Sequence, residues 1–564
     1  MRIVSPKQMK KIEDYSEKLG VSKMQLMENA GKALAKIIDE FCRKEGETVL
    51  EENSIVFLAG KGNNGGDCFA AAKILAYQGY KIVIVEMGGP PTSELAKTMF
   101  EQLPLDKIEV IEGFRSKNVE VAIEAAELDY MSVPRDLSSD SLDENKDLNP
   151  LDTILLKEKK RIGLIKAAIL SASVVVDGVF GTGFHSQLDK NIAAIFNIGT
   201  SAYKISVDIP SGGNCISGAA SIGTFKADET ITFGYIKTGL VQYPLRKYCG
   251  KITTVDIGIP KKAFSIIDDE TKYFRTDRYQ LSGFPPNRER DAHKGTFGSV
   301  LVIGGSSSMR GAAAFAALGA LRSGVGLVKL ASVEKCIDSM ASLIPEATYL
   351  ELECDDYGYI LYDSNINAIS EAMKKADAIV IGCGMGVTPD TIELMNYIIK
   401  NSEIPIIIDA DGINCIASDI DILLKKRTDI IITPHVAEMA RLLSCENSLV
   451  SENRIFAAEK FAEKYDVTVV LKGAGTVIVN GKCTAINHTG NAGMSRGGSG
   501  DILAGIIGSI IAQGSNIFDG VCAGVYIHGL AGDIAAKKLG QEAMLPRDII
   551  NCLSDSFGIL KDMH

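Results

Sequence analysis

The chain has no tryptophan and only six histidines in 564 residues, and its twelve cysteines form no Cys-x-x-Cys pair and no Cys/His cluster. Neither a zinc site nor a disulfide framework is indicated, and a reducing, cytoplasmic setting is expected. Basic residues are outnumbered, with 60 Lys and Arg against 71 Asp and Glu, a net charge of −11. With no basic excess to neutralise phosphates, general binding to nucleic acid or an anionic membrane is not expected, although a local nucleotide pocket is compatible with this balance. No apolar run is long enough to span a bilayer, and MRIVSPKQMKKIEDYSEKLG at the start has neither the apolar core nor the cleavage pattern of a signal peptide. G-x-x-x-x-G-K-[ST] does not occur, nor does G-x-G-x-x-G followed by a ribose acid. P-loop chemistry and ordinary Rossmann dinucleotide binding are therefore unsupported.

What the chain does have is glycine, 55 of them, many placed just after short apolar runs. At this length two or more domains are expected. After helical periodicity over 7–42, Ser54-Ile-Val-Phe-Leu-Ala59 reads as a buried strand. It runs into Gly60-Lys-Gly-Asn-Asn-Gly-Gly-Asp67 and then the helical CFAAAKILAYQG. Strands are predicted at 81–88 and 108–113, at Ala172–Asp177 ahead of Gly178-Val-Phe-Gly-Thr-Gly-Phe184, and at Tyr203–Asp208 ahead of Ile-Pro-Ser211-Gly-Gly. In a parallel sheet the C-terminal strand ends share one edge, where ligands bind. Asn64, Asp67, Asp177, Asp208 and Ser211 would converge there. The tract 127–160 is charged and Ser/Asp/Asn-rich, and is read as a surface insertion or mobile loop.

The first domain is taken as 1–260, and 261–290, with its Pro-Pro and scattered charge, as a linker. From 291 to 564 the alternation restarts, with a strand and Gly-rich turn at SVLVIGGS and further units at 324–332, 377–386, 405–414, 429–443 and 467–480; apolar strand runs alternating with helical stretches predict a second parallel-sheet α/β domain. Lys472-Gly-Ala-Gly-Thr476 offers a cation and a hydroxyl on a turn, as a nucleotide pocket requires. Near the C-terminus, His488-Thr-Gly-Asn-Ala-Gly-Met-Ser-Arg-Gly-Gly-Ser-Gly-Asp501 enters the apolar helix ILAGIIGSIIAQG. Glycine lets backbone approach a ligand, and a helix N-terminus offers unpaired N–H groups to phosphate. A carboxylate there would repel phosphate unless it takes a proton from an attacking hydroxyl; the alternative is that Asp501 or Ser499 caps the helix.

Four motifs of the first half, LMENAG (26–31), GKGNNGGD (60–67), VDGVFGTGF (176–184) and SVDIPSG (206–212), resemble the NAD(P)H-hydrate epimerase family. The resemblance implies a Rossmann-like three-layer αβα fold. It places hydrated nicotinamide nucleotide against Asn63, Asn64, Gly65, Gly66 and Asp67, against Gly181, Thr182, Gly183, Phe184, His185, Ser186 and Gln187, and against Asp208 as catalytic group. It places K+ at Asn64, Asp177 and Ser211. Cys68 departs from the family's usual glycine. The second half carries HKGTFGSVLVIGGS (293–306), GCGMG (382–386), DADGIN (409–414), TPHVAEMARL (433–442), VLKGAGT (470–476) and NAGMSRGGSGDILAG (491–505). These resemble the NAD(P)H-hydrate dehydratase family of the ribokinase-like fold, with Val436-Ala437 departing from its Pro-Gly. That likeness implies ADP, or alternatively ATP, with Mg2+, bound by Lys472, Gly473, Ala474, Gly475 and Thr476. It extends the nucleotide site to Asn491, Ala492, Gly493, Met494, Ser495, Arg496, Gly497, Gly498, Ser499 and Gly500. It assigns hydrate contacts to Gly326, Gly386, His435 and Asp501, with Asp501 as catalytic base.

The expectation is a bifunctional repair enzyme, and a homo-oligomer, acting on the hydrates of NADH and NADPH by epimerisation at C6 and ADP-dependent dehydration. The alternative is a ribokinase-fold kinase of a small vitamin-type alcohol fused to a non-catalytic Rossmann-like module.

Overall fold

The computed structural model describes residues 2–45, 54–113, 150–276 and 288–561. It divides at Glu270/Thr271 into a unit formed by Ile3–Glu270 and one that holds Thr271–His564.

In the first unit, strand β1 (Arg2–Val4) forms a small parallel pair with β8 (Ile236–Lys237). The main sheet contains β2 (Ser54–Gly60), β3 (Lys81–Met87), β4 (Ile108–Glu112), β5 (Val174–Gly178), β6 (Tyr203–Val207), β7 (Glu229–Phe233) and β9 (Lys251–Val255). Its order is β4-β3-β2-β5-β6-β7-β9, and every pairing is parallel. A strand's side chains alternate between faces. Ile55, Phe57 and Ala59 of β2 accordingly join one core with Leu34, Phe69 and Leu75, while Val56 and Leu58 join another with Ile165, Ile169 and Phe196. Helices Lys23–Glu45 and Asn63–Tyr77 cover the first face and Pro150–Leu170 the second, which makes the three layers. The chain winds from β2 outward to β4, then returns to β5 on the other side of β2. The topological switch point therefore lies between β2 and β5, where a ligand crevice opens at the C-terminal edge.

The second unit has β10 (Lys272–Arg275), β11 (Ser299–Ile303), β12 (Leu327–Val333), β13 (Thr348–Leu352), β14 (Ala378–Ile381), β15 (Ile406–Ile408), β16 (Ile430–Ile432), β17 (Thr468–Leu471), β18 (Val477–Asn480) and β19 (Cys483–Ile486). Strands β13-β12-β11-β14-β15-β16-β17 are parallel in that order. The sheet then departs from the expected all-parallel pattern. VTVVLKGAGTVIVN is a hairpin, with Val469 opposite Val479 and Leu471 opposite Val477, and β18 to β19 is also antiparallel. The Lys472–Thr476 motif is thus the loop of a hairpin. Helix Ser499–Ala512 is buried almost throughout and crosses Arg310–Arg322 closely. A Cβ on Gly505 would lie 1.9 Å from Ala316 O, so the glycine permits that approach.

Two organisational expectations change. The span 261–290 is not a bare linker. Lys261–Ile267 is a 3-10 helix whose Ala263, Phe264 and Ile267 pack with Val4, Met9 and Ile12, and β10 pairs with β19. Of the tract 127–160, residues 127–149 lie outside the described residues, as do 277–287 of the linker span; 150–160 belong to helix Pro150–Leu170. That helix carries Ile162, Ile165 and Ile169 into the core, an apolar spacing the charged surroundings concealed.

Candidate functional sites in the two units

The switch point of the first unit opens into a cavity of about 990 Å³. Asn63, Asn64 and Asp67 line it from the turn after β2, Gly181 to Ser186 from the loop after β5, and Asp208 from the end of β6. Gly65, Gly66 and Gln187 do not. A Cβ on Gly65 would come within 1.8 Å of Gly60 O, and one on Gly66 within 2.8 Å of Met27, so the close packing of the turn requires glycine at both. Cys68 likewise sits beneath the turn, where a Cβ on Gly178 would meet its sulfur.

Asp208 sits at φ +63, a left-handed conformation that Asp tolerates better than most residues but that still costs about 1 kcal/mol. Its carboxylate accepts from Thr232 Oγ1 at 3.0 Å and from Phe233 N at 3.2 Å, and is ion-paired with Lys237. Lys237 is buried and also donates to Thr232 Oγ1 and Phe233 O, so its ammonium is fully engaged. Lys237 and Glu13 line the same cavity and were not anticipated. Burial, then the charges of Asp208 and Glu13, push Asp67 well above the ordinary carboxylate range. Burial, partly offset by Lys237, raises Glu13.

Beside the cavity, Asn64, Asp177 and Ser211 are drawn together around Phe180. Asn64 Nδ2 donates to Phe180 O at 3.0 Å and Val207 O at 2.9 Å. Ser211 Oγ accepts from Phe180 N at 2.8 Å, and Asp177 Oδ2 accepts from Ser206 Oγ and Ser211 N. Asp177 is fully buried, and among the described residues no Lys or Arg pairs with it; burial raises it to about 6 against those hydrogen bonds. Asp177 is thus a buried carboxylate held by the Val179 and Ser211 N–H groups and the Ser206 hydroxyl, with the oxygens of Asn64 and Ser211 nearby and no counter-charge among the described residues, and hard oxygen donors of this kind fit a hard monovalent cation.

In the second unit, Gly386, Asp409, His435 and Lys472 follow the C-terminal ends of β14, β15, β16 and β17, on one sheet edge. Lys472 Nζ donates to Asp409 Oδ1 at 2.6 Å, and Thr433 Oγ1 donates to the same oxygen at 2.6 Å. A Cβ on Gly500 would lie 3.2 Å from Lys472 Nζ and 3.6 Å from Asp409 Oδ2, so this pair abuts the first turn of Ser499–Ala512. Asp501 is on that turn, reached through Gly498 at φ +102. Burial and then the Asp409 charge raise Asp501 to about 6, opposed by the Cys383 thiol and Lys472. Cys383, Asp409 and Asp501 bring one sulfur and two carboxylate oxygens within 4.8 Å of one another. A soft sulfur, and an Asp409 already paired with Lys472, do not suit Mg2+, which favours oxygen donors in an octahedron.

Other expected contacts divide. Asp411 Oδ2 accepts from Gly386 N at 3.0 Å and holds that turn, with Gly386 at φ +77. His435 is the N-cap of Val436–Leu442: its Nδ1 accepts from Ala437 N and Glu438 N, and Glu438 Oε2 accepts from His435 N. Half of its side chain stays exposed, and its Nε2 lies 3.4 Å from Glu438 Oε1. Gly326 lies apart from these residues. It precedes β12 and so lies at the opposite, N-terminal edge of the sheet, where a Cβ would strike Lys294 O at 1.7 Å. Within 491–500, Asn491 binds Asp533 and caps Gly493, while Met494 packs on Gly532 and Gly493 on Met544. Gly497 faces open space. His528 was missed. It is buried beneath this loop with Nε2 unpartnered, and burial lowers it to about 4, so it is neutral.

Comparison with known proteins agrees with this division. Residues 300–555 match the family model described as NAD(P)H-hydrate dehydratase, and 23–239 match the YjeF-related protein N-terminus. Curated relatives named bifunctional NAD(P)H-hydrate repair enzyme Nnr include one from Moorella thermoacetica, 31% identical over 94% of this chain and 91% of its own length. Another, from Thermofilum pendens, is 30% identical over 97% and 94%. Among solved structures, an ADP/ATP-dependent NAD(P)H-hydrate dehydratase from Bacillus subtilis, co-crystallised with ATP/Mg2+, is 26% identical over 51% of this chain and 98% of its own, with a TM-score of 0.44.

Proposed function

The chain belongs to the bifunctional NAD(P)H-hydrate repair enzymes, and from that premise we propose how its residues divide the work. The first unit interconverts the C6 epimers of hydrated NADH and NADPH, and the second dehydrates the S form at the expense of ADP. The hydrates carry a hydroxyl on C6, next to the ring nitrogen. In the first unit the nucleotide occupies the cavity between Asn63–Asp67 and Gly181–Ser186. Asp208, oriented by Lys237, Thr232 and Phe233 N–H, faces the ring and stabilises the positive charge that develops on it when the C6–O bond breaks and hydroxide leaves; hydroxide returns to C6 on either face, re-forming the bond and discharging the ring. K+ would be held by Asn64, Asp177 and Ser211, where it would offset the buried Asp177 carboxylate and fix the loop that follows β5.

In the second unit, Asp501 takes the proton of the C6 hydroxyl as that oxygen attacks the β-phosphorus of ADP. The phosphoanhydride bond breaks and AMP leaves. The C6 phosphate ester then departs with loss of the C5 proton, restoring the 5,6 double bond and releasing phosphate. Lys472 and the N–H groups at the start of Ser499–Ala512 balance the phosphoryl charge. Mg2+ would travel with the nucleotide phosphates. ATP is an alternative phosphoryl donor at the same turn. The observation that carries this reading is the contiguity of Asp501, Gly500, Lys472 and Asp409 on one sheet edge. Twelve free cysteines accord with a reducing, cytoplasmic setting, and none of the described helices is long and apolar enough to cross a membrane. A homo-oligomer completes the reading, and sedimentation tests it. The direct test of the dehydratase assignment is Asp501→Asn, which should keep ADP binding and lose dehydration; near-normal turnover would refute it.

A further inference from the structure

Arg454 opens helix Arg454–Tyr465 and is 7% exposed, beneath the hairpin loop Lys472–Thr476. Among the described residues no carboxylate pairs with it. Nη1 donates to Ala474 O at 2.6 Å and Gly475 O at 3.1 Å, and Nη2 donates to Leu471 O at 2.9 Å. Nε is buried with no acceptor. A full positive charge is therefore carried into the interior against backbone dipoles alone, an arrangement that is costly unless something offsets it. Burial brings the guanidinium down to about 10, which still leaves it charged at neutral pH.

The direction of those carbonyls decides what the loop presents. A trans peptide points its N–H opposite its C=O. With the carbonyls of Ala474 and Gly475 turned onto Arg454, the N–H groups of Gly475 and Thr476 point away from it, to the other side of the loop. Gly475 sits at φ +66, and a Cβ on Gly473 (φ +148) would press within 3.0 Å of Nη2, so both glycines serve this wrap around the guanidinium. Successive N–H groups facing one way form a cradle for an anion. Lys472, at the start of the loop, is already committed to Asp409.

We propose that Arg454 is the positioning residue of the nucleotide site. It holds two carbonyls inward so that the N–H groups of Gly475 and Thr476 face a nucleoside diphosphate, whose phosphates offset its unpaired charge. The inference rests on the reading of this loop as nucleotide-binding, and goes beyond it by assigning the loop's shape and field to a residue that touches no substrate.

The test uses the full-length protein with Arg454→Met and Arg454→Lys, ADP titrated by calorimetry, and dehydration followed at saturating S-hydrate. Epimerase turnover in the same samples reports on folding of the first unit. Arg454→Met should raise the Kd and KM for ADP about tenfold or more, with kcat at saturating ADP and the KM for hydrate within threefold. Arg454→Lys should move the same way, because a compact ammonium lacks the planar fork whose two amino groups reach Leu471 O on one side and Ala474 O and Gly475 O on the other. If Arg454→Met does not fold, Arg454→Lys decides alone. Less than a threefold change in the KM and Kd for ADP overturns the inference, as does a fall in kcat with KM unmoved, which is the signature of a merely structural role. Failure of the wild-type protein to bind ADP or ATP would instead remove the nucleotide reading itself.

Discussion

Asp208 follows the end of β6 and Asp501 lies on the first turn of Ser499–Ala512, and their neighbours fit these two carboxylates for different work. Asp501 is buried beside another carboxylate, Asp409, and is held near 6. A base is active only when deprotonated, so its active form is lost as pH falls through that value. Dehydration should be flat above about pH 6 and drop roughly tenfold per pH unit below it. A pH–rate profile of kcat/KM for S-hydrate checks this, and an unbroken rate down to pH 4.5 would exclude Asp501 as the base. Replacing it by Asn should cost about 10²- to 10⁴-fold in kcat. Asp208 is instead surrounded by donors, three of them from Thr232, Phe233 and Lys237. Asp208→Ala should abolish R-to-S conversion while S-hydrate is still dehydrated at the parent rate. A joint loss of both activities would refute separate sites.

At the level of elements, the glycines that matter most do so by letting backbones meet. Gly65 is pressed against Gly60 O, and Gly505 against Ala316 O. Overfilling such contacts costs about 1–3 kcal/mol. Gly505→Ala should therefore lower stability of the second unit by that amount in a urea titration, whereas Gly497→Ala, which faces open space, should not. The same physics explains what could be read from the chain beforehand. A Gly-rich turn directly after an apolar β-branched run marks a strand's C-terminal end, so Asn64, Asp67, Asp177 and Asp208 were legible. GVG at 324–326 has the same composition but precedes its strand, and polarity along the chain, not composition, decides which sheet edge it occupies. Lys237 and Arg454 were hidden for another reason: a cation in a helical or mixed run ordinarily reads as solvated, and only tertiary packing shows it buried. The turn at Lys472–Thr476 was legible but its antiparallel sense was not, because Val-rich stretches on both sides of a glycine loop carry no sign of direction.

For the whole molecule, two sheets each place a polar cluster at the C-terminal edge of their parallel strands, and each half of the chain matches its own family model. Independent sites should complement one another in trans. An equimolar mixture of Asp208→Ala and Asp501→Asn should convert R-hydrate to the reduced nucleotide, although neither variant does so alone above the uncatalysed epimerisation rate. Failure of the mixture would mean that the S-hydrate must pass within one chain. The measurement that tests the central claim most directly is incubation of the wild-type protein with mixed R- and S-hydrates, with and without ADP, following absorbance of the reduced nicotinamide. The account predicts complete recovery of that absorbance with ADP, with AMP and phosphate formed in equal amount, and no recovery without a phosphoryl donor. A stable phosphate ester with no restored absorbance would contradict it.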